Sequence, residues 1–498
     1  MYMRIDSFKK TFVFGICMLL IAVTMSLTIN ADFLEIKESR MDIKISEANC
    51  EHKYDLLIIA PQKFSDALKP LIDHKNRVGI STRLVTLEDL QDQMFWKGRD
   101  KQEKIKYFIK EAIENWGITY VLLVGGYRQL PVRYCYNSDN FPFLPEPRFV
   151  SDLYYADIYD ANGSFSSWDS NNNGVYGEWN GEEAQDKNID LYPDVYLGRL
   201  PCRNKFEVKI VVNKIITYET STYGQPWFKN MVVVAGDTYP YINDYCEGEN
   251  DTRQAIDYMD GFNHVKLWAS TGDLTFMIGW KIVKAINNGC GFIYFAGHGN
   301  RPFWTTNPPN ESKWIGTFSI FHIPFLTNGK MLPVCIAPGC GNSKFDVTPM
   351  KLLPQEAHWR IKLNNYVSEC WSWRLTRKIG GGAIATIGST GLGYYKEDNV
   401  TGGDGAWSYI GPRFFWEYGI NGTDIVGEIW GKVITAYLNE FLINWSTPAI
   451  NHNTQEPEPD AVSARTVQEC ILLGDPSLKI GGYNLKEKDL HKTCPGDG

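Results

Sequence analysis

The decapeptide Gly291-Phe-Ile-Tyr-Phe-Ala-Gly-His-Gly-Asn300 joins an unbroken apolar run to a glycine-rich turn that contains a histidine. Such a run, bounded by glycine, is typical of a strand buried on both faces. A second run, Met331-Leu-Pro-Val-Cys-Ile-Ala337, is followed by Pro-Gly-Cys340-Gly. In parallel α/β sheets the reactive groups lie just past the carboxyl ends of the strands. We therefore expect His298 and Cys340 at one edge of a single sheet.

Alternating strand and helix patterns extend from these runs toward both ends of the chain. The predicted strands cover residues 54–60, 83–86, 120–124, 195–200, 231–235, 291–296, 331–337 and 383–387. Strands that alternate with helical spacings are typical of a parallel α/β sheet. The alternation pauses after residue 218 and restarts at Met231. It predicts two tandem α/β subdomains, residues 53–222 and 223–484, with an Asn-, Gly- and Asp-rich insertion at 127–192.

The two ends of the chain fall outside this pattern. Residues 11–29 are uncharged and largely apolar, and they follow Arg4, Lys9 and Lys10. A basic leader before such a run indicates a signal peptide or an N-terminal membrane anchor within residues 1–30. A clear small-x-small cleavage site is missing, so both alternatives stay open. We expect an exported protein, secreted or at the cell surface, with a linker at 31–52 and a tail at 485–498.

Composition narrows the possible functions. The 498 residues carry 50 Lys and Arg against 58 Asp and Glu, a net charge of −8. Without a basic surplus, nucleic-acid binding is not expected. The mean hydropathy of −0.28 excludes a multi-span membrane protein. None of the 11 cysteines forms a C-x-x-C pair, so the sequence gives no support for a zinc site.

The residues at the two strand ends suit nucleophilic catalysis. Glycines flank His298, so a substrate chain can approach the imidazole. Cys340 lies in a tight turn, whereas Cys335 lies inside the apolar run and is better explained as a buried small hydrophobe. An imidazole can activate the thiol and then protonate a leaving amine. Backbone N–H groups of the glycine-rich segments, which include Gly299 and Gly339, would hold the oxyanion.

An apolar block with His-Gly, followed by an apolar block that leads to a cysteine, resembles caspase-like cysteine peptidases. The surrounding segments resemble the gingipain family, peptidase family C25, over about residues 54–480. The matching segments are residues 68–80, 120–126, 195–201, 213–219, 296–299, 383–389 and 473–478. The resemblance implies a caspase-like three-layer α/β/α sandwich, cysteine endopeptidase activity and protein or peptide substrates. The chain departs from the family in having Gly339 where Ala commonly precedes the cysteine.

The resemblance also implies roles for single residues. His298 matches the family's general base and acid, and Cys340 its nucleophile. Asp237 matches an acidic residue that orients the histidine, although a helix cap is an equal alternative. Asp251, in Gly-Glu-Asn-Asp251, resembles the aspartate of the S1 pocket, which binds the residue before the cleaved bond, in Arg-specific gingipains. It would pair with a guanidinium; the alternative is an acid favoured by the helix dipole.

The insertion contains a candidate calcium loop. The segment Asp169-Ser-Asn171-Asn-Asn173-Gly174 has oxygen side chains at alternate positions and then a glycine, as at the start of a calcium-binding loop. The twelfth position is Asn180 instead of an acid, and Glu178 can substitute for it. The alternative is an ordinary Asn/Gly turn. Structural Ca²⁺ is the only cofactor that the sequence predicts.

The leading hypothesis is an exported cysteine endopeptidase with a His–Cys dyad, a thioester acyl-enzyme and a preference for Arg or Lys at P1, the substrate position before the cleaved bond. The alternative is a catalytically silent caspase-like domain that serves as a surface binding module. A transferase that uses the same dyad would need an amine acceptor. Four aromatic residues after the catalytic strands can line a cleft or fill the core: Trp371, Trp373, Tyr394 and Tyr395.

Overall fold

The computed structural model describes residues 53–138, 146–240, 246–274, 279–347, 367–394 and 405–485. The chain from His52 onward forms one compact unit. The predicted leader, the linker and nearly all of the tail lie outside the described residues. Within the described ranges, no helix combines the length and the apolar character needed to cross a bilayer.

The described ranges contain sixteen strands and ten α-helices. The strands are β1 Leu56–Ala60, β2 Thr82–Thr86, β3 Tyr120–Val124, β4 Arg133–Asn137, β5 Arg148–Ser151, β6 Tyr176–Trp179, β7 Tyr196–Leu200, β8 Asn230–Ala235, β9 Asn263–Trp268, β10 Phe292–Ala296, β11 His298–Asn300, β12 Phe303–Thr306, β13 Ile315–Ser319, β14 Val334–Ala337, β15 Ala385–Ser389 and β16 Cys470–Leu473. The helices are α1 Ser65–Arg77, α2 Leu87–Gln93, α3 Lys101–Trp116, α4 Lys205–Ser221, α5 Glu247–Asp257, α6 Gly279–Asn287, α7 Trp371–Thr376, α8 Ala406–Gly419, α9 Val426–Glu440 and α10 Pro459–Glu469.

Two main sheets organise the fold. The first has the order β2-β1-β3-β7 and is parallel throughout. The second has the order β16-β15-β14-β10-β8-β9 and is parallel except for β16, which runs antiparallel to β15. The two α/β sheets predicted from the alternation are therefore present, and the α/β fold class is confirmed.

Central strand β10 shows why the second sheet is covered on both faces. Phe292 and Tyr294 pack against Phe415 of α8, with ring centroids 6.0 and 5.3 Å apart. Phe295 points to the opposite face and contacts Trp371 of α7 at 5.2 Å. Successive side chains of a strand point to opposite faces, so an unbroken apolar run needs a layer on each side. The result is the three-layer sandwich that the resemblance implied.

The described part of the insertion, residues 127–138 and 146–192, contains a small sheet of the order β5-β4-β6. The buried aromatic side chains of this part include Tyr154, Trp168 and Trp179. Arg133 lies over the Tyr176 ring, with its guanidinium carbon 3.5 Å from the ring centroid. Aromatic burial therefore accounts for the order of a segment whose polar composition gave no helix or strand pattern.

A buried carboxylate joins the start and the end of the described chain. Glu219 of α4 accepts hydrogen bonds from His74 Nε2 and Lys75 Nζ of α1, each at 2.8 Å. It also accepts one from the Lys479 N–H at 2.9 Å. Lys75 makes a second ion pair with Asp475 at 2.9 Å. Because these charges are shielded from water, each one depends on its partners.

Candidate active site

Three adjacent strands carry the predicted catalytic residues to one edge of the second sheet. β10 lies between β14 and β8, and all three run parallel. Their carboxyl ends lead to His298, Cys340 and Asp237, respectively. The sheet order therefore brings these three positions to one edge, as expected from the two sequence runs.

The turns that carry the cysteine and the histidine touch through their backbones. A Cβ atom added to Gly339 would lie 2.7 Å from the Gly299 nitrogen and 3.2 Å from the His298 carbonyl carbon. One added to Gly393 would lie 2.9 Å from the Gly339 carbonyl carbon, and one added to Gly299 would collide with the Asn342 side chain. Only glycine permits approaches this close, so the glycines keep the two reactive turns in contact.

Gly339→Ala should lower kcat of the predicted peptidase reaction by roughly ten- to a hundredfold. The new Cβ would meet the Gly299 backbone, and Gly339 has a φ of +142°, which disfavours a side chain. The matched control is Gly272→Ala, since Gly272 has a φ of +74° but nothing within 4 Å of the added atom. Steady-state kinetics on both variants checks the prediction. Full activity in Gly339→Ala would show that the turn spacing does not matter.

The His298 ring is held by a main-chain carbonyl. His298 Nε2 lies 2.9 Å from the Thr238 oxygen. A carbonyl can only accept, so the proton is on Nε2 and Nδ1 remains the basic nitrogen. Burial lowers the pKa of the imidazole, while the Thr238 carbonyl and the Asp237 carboxylate act in the opposite direction. The imidazole is therefore neutral at neutral pH and can accept a proton.

The Cys340 thiol is half-buried and donates to the Gly393 carbonyl, with sulfur and oxygen 3.8 Å apart. Burial raises the pKa of this thiol. The positive charge of Arg301 opposes this increase in the thiol pKa. The Arg301 side chain packs beside Gly341, because a Cβ atom added to Gly341 would lie 3.4 Å from Arg301 Nε. The arrangement therefore keeps Cys340 protonated until a base accepts its proton.

Arg301 was not predicted from the sequence. It is buried and pairs with Glu146, and its carbonyl accepts a hydrogen bond from the Trp371 N–H at 2.7 Å. Nothing in the local sequence marks this arginine beyond its place three residues after the histidine. The Thr238 carbonyl was missed for a different reason, since a main-chain group has no signature in the sequence.

Asp237 is buried behind the histidine loop. Its Oδ2 accepts a hydrogen bond from the Asn310 N–H at 3.0 Å, and its own N–H donates to the Asn307 carbonyl at 3.0 Å. The acceptor for His298 Nε2 is the carbonyl of the next residue and not the Asp237 carboxylate. Asp237 thus anchors the loop that positions the ring, and direct orientation of the histidine by its carboxylate stays a prediction.

Asp251 lies in the first half of α5, which begins at the same edge. A Cβ atom on Gly248 would lie 2.7 Å from the Ala296 oxygen and 2.9 Å from the Gly236 oxygen, so this helix abuts the ends of β10 and β8. Burial raises the pKa of Asp251 well above its usual value, Glu247 adds to the rise, and a hydrogen bond with Ser408 opposes it. A carboxyl in this setting gains most from a cationic partner. Its assignment to S1 remains a prediction.

The aromatic residues that follow β10 and β14 in the sequence differ in how deeply they are buried. Trp371 and Trp373 are 0% and 2% exposed and belong to the core. Tyr394 is half-buried, and Tyr395 lies outside the described residues. The two tryptophans therefore do not line a substrate cleft, because the faces of the sheet on which they pack are covered.

The predicted calcium ligands are engaged in other contacts. Asp169 Oδ2 pairs with Arg99 at 2.7 Å, and both of its oxygens accept N–H groups of the turn. Glu178 Oε2 accepts from the Asn173 amide at 2.6 Å. A guanidinium already pairs with the Asp169 carboxylate, so Ca²⁺ would have to displace Arg99 to bind there. Calcium binding, with Asn171 as a further ligand, stays a prediction that titration with the metal would check.

Comparison with known proteins places the chain among peptidases. The sequence profile of peptidase family C25 matches residues 50–481. Gingipain R2 of Porphyromonas gingivalis is 23% identical over 294 residues, which are 58% of this chain and 32% of that protein. The chain thus aligns with about a third of the length of this relative. An uncharacterised protein of Archaeoglobus fulgidus is 22% identical over 67% of this chain and 75% of its own length.

Solved structures agree on the fold. The crystal structure of the Arg-specific cysteine proteinase gingipain R superposes with a TM-score of 0.56 and 19% identity, over 87% of this chain and 79% of that one. A second structure, described as a protease, gives a TM-score of 0.57 at 15% identity, over 86% of this chain and 78% of that one. At these identities the likeness concerns the architecture, which is the caspase-like sandwich expected from the sequence.

Proposed function

This chain belongs to peptidase family C25, and on that premise we propose that it is a cysteine endopeptidase with Cys340 as nucleophile and His298 as general base. The observation that carries the proposal is the backbone contact between the two turns, in which Gly339 abuts Gly299. Cleavage of an unfolded protein substrate, stopped by alkylation of the thiol, tests it. The alternative, a silent binding module, predicts no cleavage.

The proposed reaction has two stages. Cys340 Sγ attacks the carbonyl carbon of the peptide bond while its proton passes to His298 Nδ1. The tetrahedral intermediate collapses, the C–N bond breaks, and the imidazolium gives its proton to the leaving amine. Water then attacks the thioester, the imidazole takes a proton from it, and the thiol leaves with a proton as the acid product departs. Backbone N–H groups of the glycine turns would stabilise both oxyanions.

The pH dependence of kcat/KM should show an acid limb below the ordinary pKa of histidine, about 6.5. Burial lowers the pKa of His298, so the imidazole stays unprotonated, and active as a base, to a lower pH than in a free histidine. Burial raises the pKa of Cys340, so alkylation of the free enzyme should still increase above neutral pH. Measuring both profiles checks the assignment. An acid limb well above 6.5 would contradict the neutral imidazole.

Asp251 provides the testable part of the specificity proposal. If it pairs with a basic P1 side chain, peptide-library profiling should show Arg or Lys at P1, and Asp251→Asn should lower kcat/KM for those peptides by about tenfold to a hundredfold. Asp257→Asn, at the exposed end of the same helix, is the control. A wild-type preference for large apolar residues would contradict the proposal.

The family supports protein substrates, and the basic leader with the apolar run of residues 11–29 supports export. The proposal includes both, and the leader is either a signal peptide or an anchor. Eight cysteines among the described residues carry free thiols: Cys135, Cys202, Cys246, Cys290, Cys335, Cys340, Cys370 and Cys470. Among the described residues, stability therefore does not depend on oxidation.

A further inference from the structure

Glu247, the first residue of α5, holds the loop behind the catalytic histidine. Its Oε2 accepts hydrogen bonds from the Thr238 N–H at 3.2 Å and from the Tyr239 N–H at 3.4 Å. Both donors belong to main chain that follows β8, so this contact connects a helix to the strand-end loop. Neither the sequence pattern nor the family resemblance had marked Glu247.

Both residues that Glu247 holds contact the imidazole. The Thr238 carbonyl accepts the His298 Nε2–H at 2.9 Å. The Tyr239 ring lies edge-on to the His298 ring, with centroids 6.5 Å apart and planes at 88°. A displacement of this loop would therefore change the ring's tautomer and its direction together.

A second carboxyl lies beside the first. Asp237 and Glu247 interact through their side chains, and burial together with this proximity raises the pKa of Glu247, while burial raises that of Asp237. Other titratable or charged groups also face this pair. They are His298 from β11, Cys246 before α5 and Asp251 of α5. Acids predominate here, so the two carboxyls repel each other when both are ionised.

We propose that Glu247 is a positioning residue for the peptidase reaction, holding the Thr238–Tyr239 main chain so that the Thr238 carbonyl fixes the Nε2–H tautomer of His298. The inference rests on the proposed function, since it assigns Nδ1 of His298 the role of general base. Glu247 does not touch the substrate in this role. It acts through the Thr238–Tyr239 main chain, which its Oε2 holds.

Two substitutions separate this role from a purely structural one. Glu247→Gln keeps an acceptor for the Thr238 N–H and a donor for Asp237, so kcat at neutral pH should stay within about threefold of wild type. Glu247→Ala removes both and should lower kcat by roughly ten- to a hundredfold with little change in KM. Asp257→Asn is the matched helix control. Equal activity of the alanine variant and wild type would overturn the inference.

A measurement without turnover distinguishes this inference from the proposed function. The measurement is ¹⁵N NMR of histidine-labelled Cys340→Ala protein, with the His298 signals assigned by comparison with His298→Gln. These signals should report the Nε2–H tautomer. Adding Glu247→Ala should convert it to a mixture of tautomers. If the Nε2–H tautomer persists in the Glu247→Ala variant, the positioning role is contradicted, and the peptidase proposal is unaffected. If wild type shows no thiol-dependent cleavage but the tautomer changes as expected, the peptidase proposal falls and the link from Glu247 to His298 remains.

Discussion

Cys340→Ala should abolish peptide-bond hydrolysis, with kcat lower by about 10⁴-fold or more. The substitution removes the sulfur that attacks the carbonyl carbon, and no other described thiol lies at this edge of the sheet in contact with the histidine turn. The variant should fold, because Cys340 is only half-buried and its one described side-chain hydrogen bond, to Gly393, is long. Hydrolysis of a peptide substrate and labelling by a thiol-directed probe are the measurements.

Cys246→Ser is the labelling control for this experiment. Cys246 is the other half-buried cysteine among the described residues, and it precedes α5 near the same edge. Its pKa is raised to about 12, by burial first and by neighbouring carboxylates, so it should react slowly. The probe should label Cys246→Ser and fail to label Cys340→Ala. Labelling or cleavage that survives in Cys340→Ala would show that the nucleophile is another group.

His298→Gln should lower kcat by roughly 10³-fold, because the amide cannot accept the thiol proton or return it to the leaving amine. Glutamine is long enough to donate to the Thr238 carbonyl, so the loop should stay in place. Alkylation of Cys340 should also slow at neutral pH, since the thiol then depends on its own raised pKa. Steady-state hydrolysis of a peptide substrate measures the loss of kcat, and the rate of Cys340 alkylation at neutral pH measures the second effect.

A matched control for that substitution is His322→Gln. His322 lies after β13, where its Nδ1 contacts the Ser319 N–H and hydroxyl, each at 3.0 Å, away from the three strand ends. This variant should keep the wild-type kcat. Comparable losses in both variants would indicate a general effect of histidine replacement. Wild-type rates in His298→Gln would remove the general base from the proposed mechanism.

The central strands could be predicted from the sequence because both faces of each are buried. β3, β10 and β14 consist of unbroken apolar runs, and such runs admit few other interpretations. The edge strand β9 was missed, since its polar and apolar residues reflect a half-exposed position. The helix α8 was missed as well, because Gly411 and Pro412 interrupt its helical signal.

The common edge at which the candidate side chains lie was predictable from the sequence, but the main-chain groups beside them were not. Glycines around His298 and Cys340 mark the turns, and the sheet order then places the turns side by side. Two contacts depend on tertiary packing and have no local sequence pattern. They are the hydrogen bond between His298 and the Thr238 carbonyl, and the packing of Arg301 beside Gly341. In the predicted calcium loop, Arg99 pairs with Asp169, a contact between distant residues that the local pattern does not record.

The Glu219 carboxylate has a consequence for how the chain matures on the ribosome. Lys75 is synthesised early, yet one of its two buried ion-pair partners, Asp475, and the main-chain donor Lys479 emerge only with the final segment. Until then, enclosing the Lys75 ammonium would leave a charge without its full complement of partners, at a cost of several kcal/mol. The enclosure of Lys75 is therefore completed only once residues 475–479 have been synthesised, and a nascent chain interrupted after Cys340 lacks it.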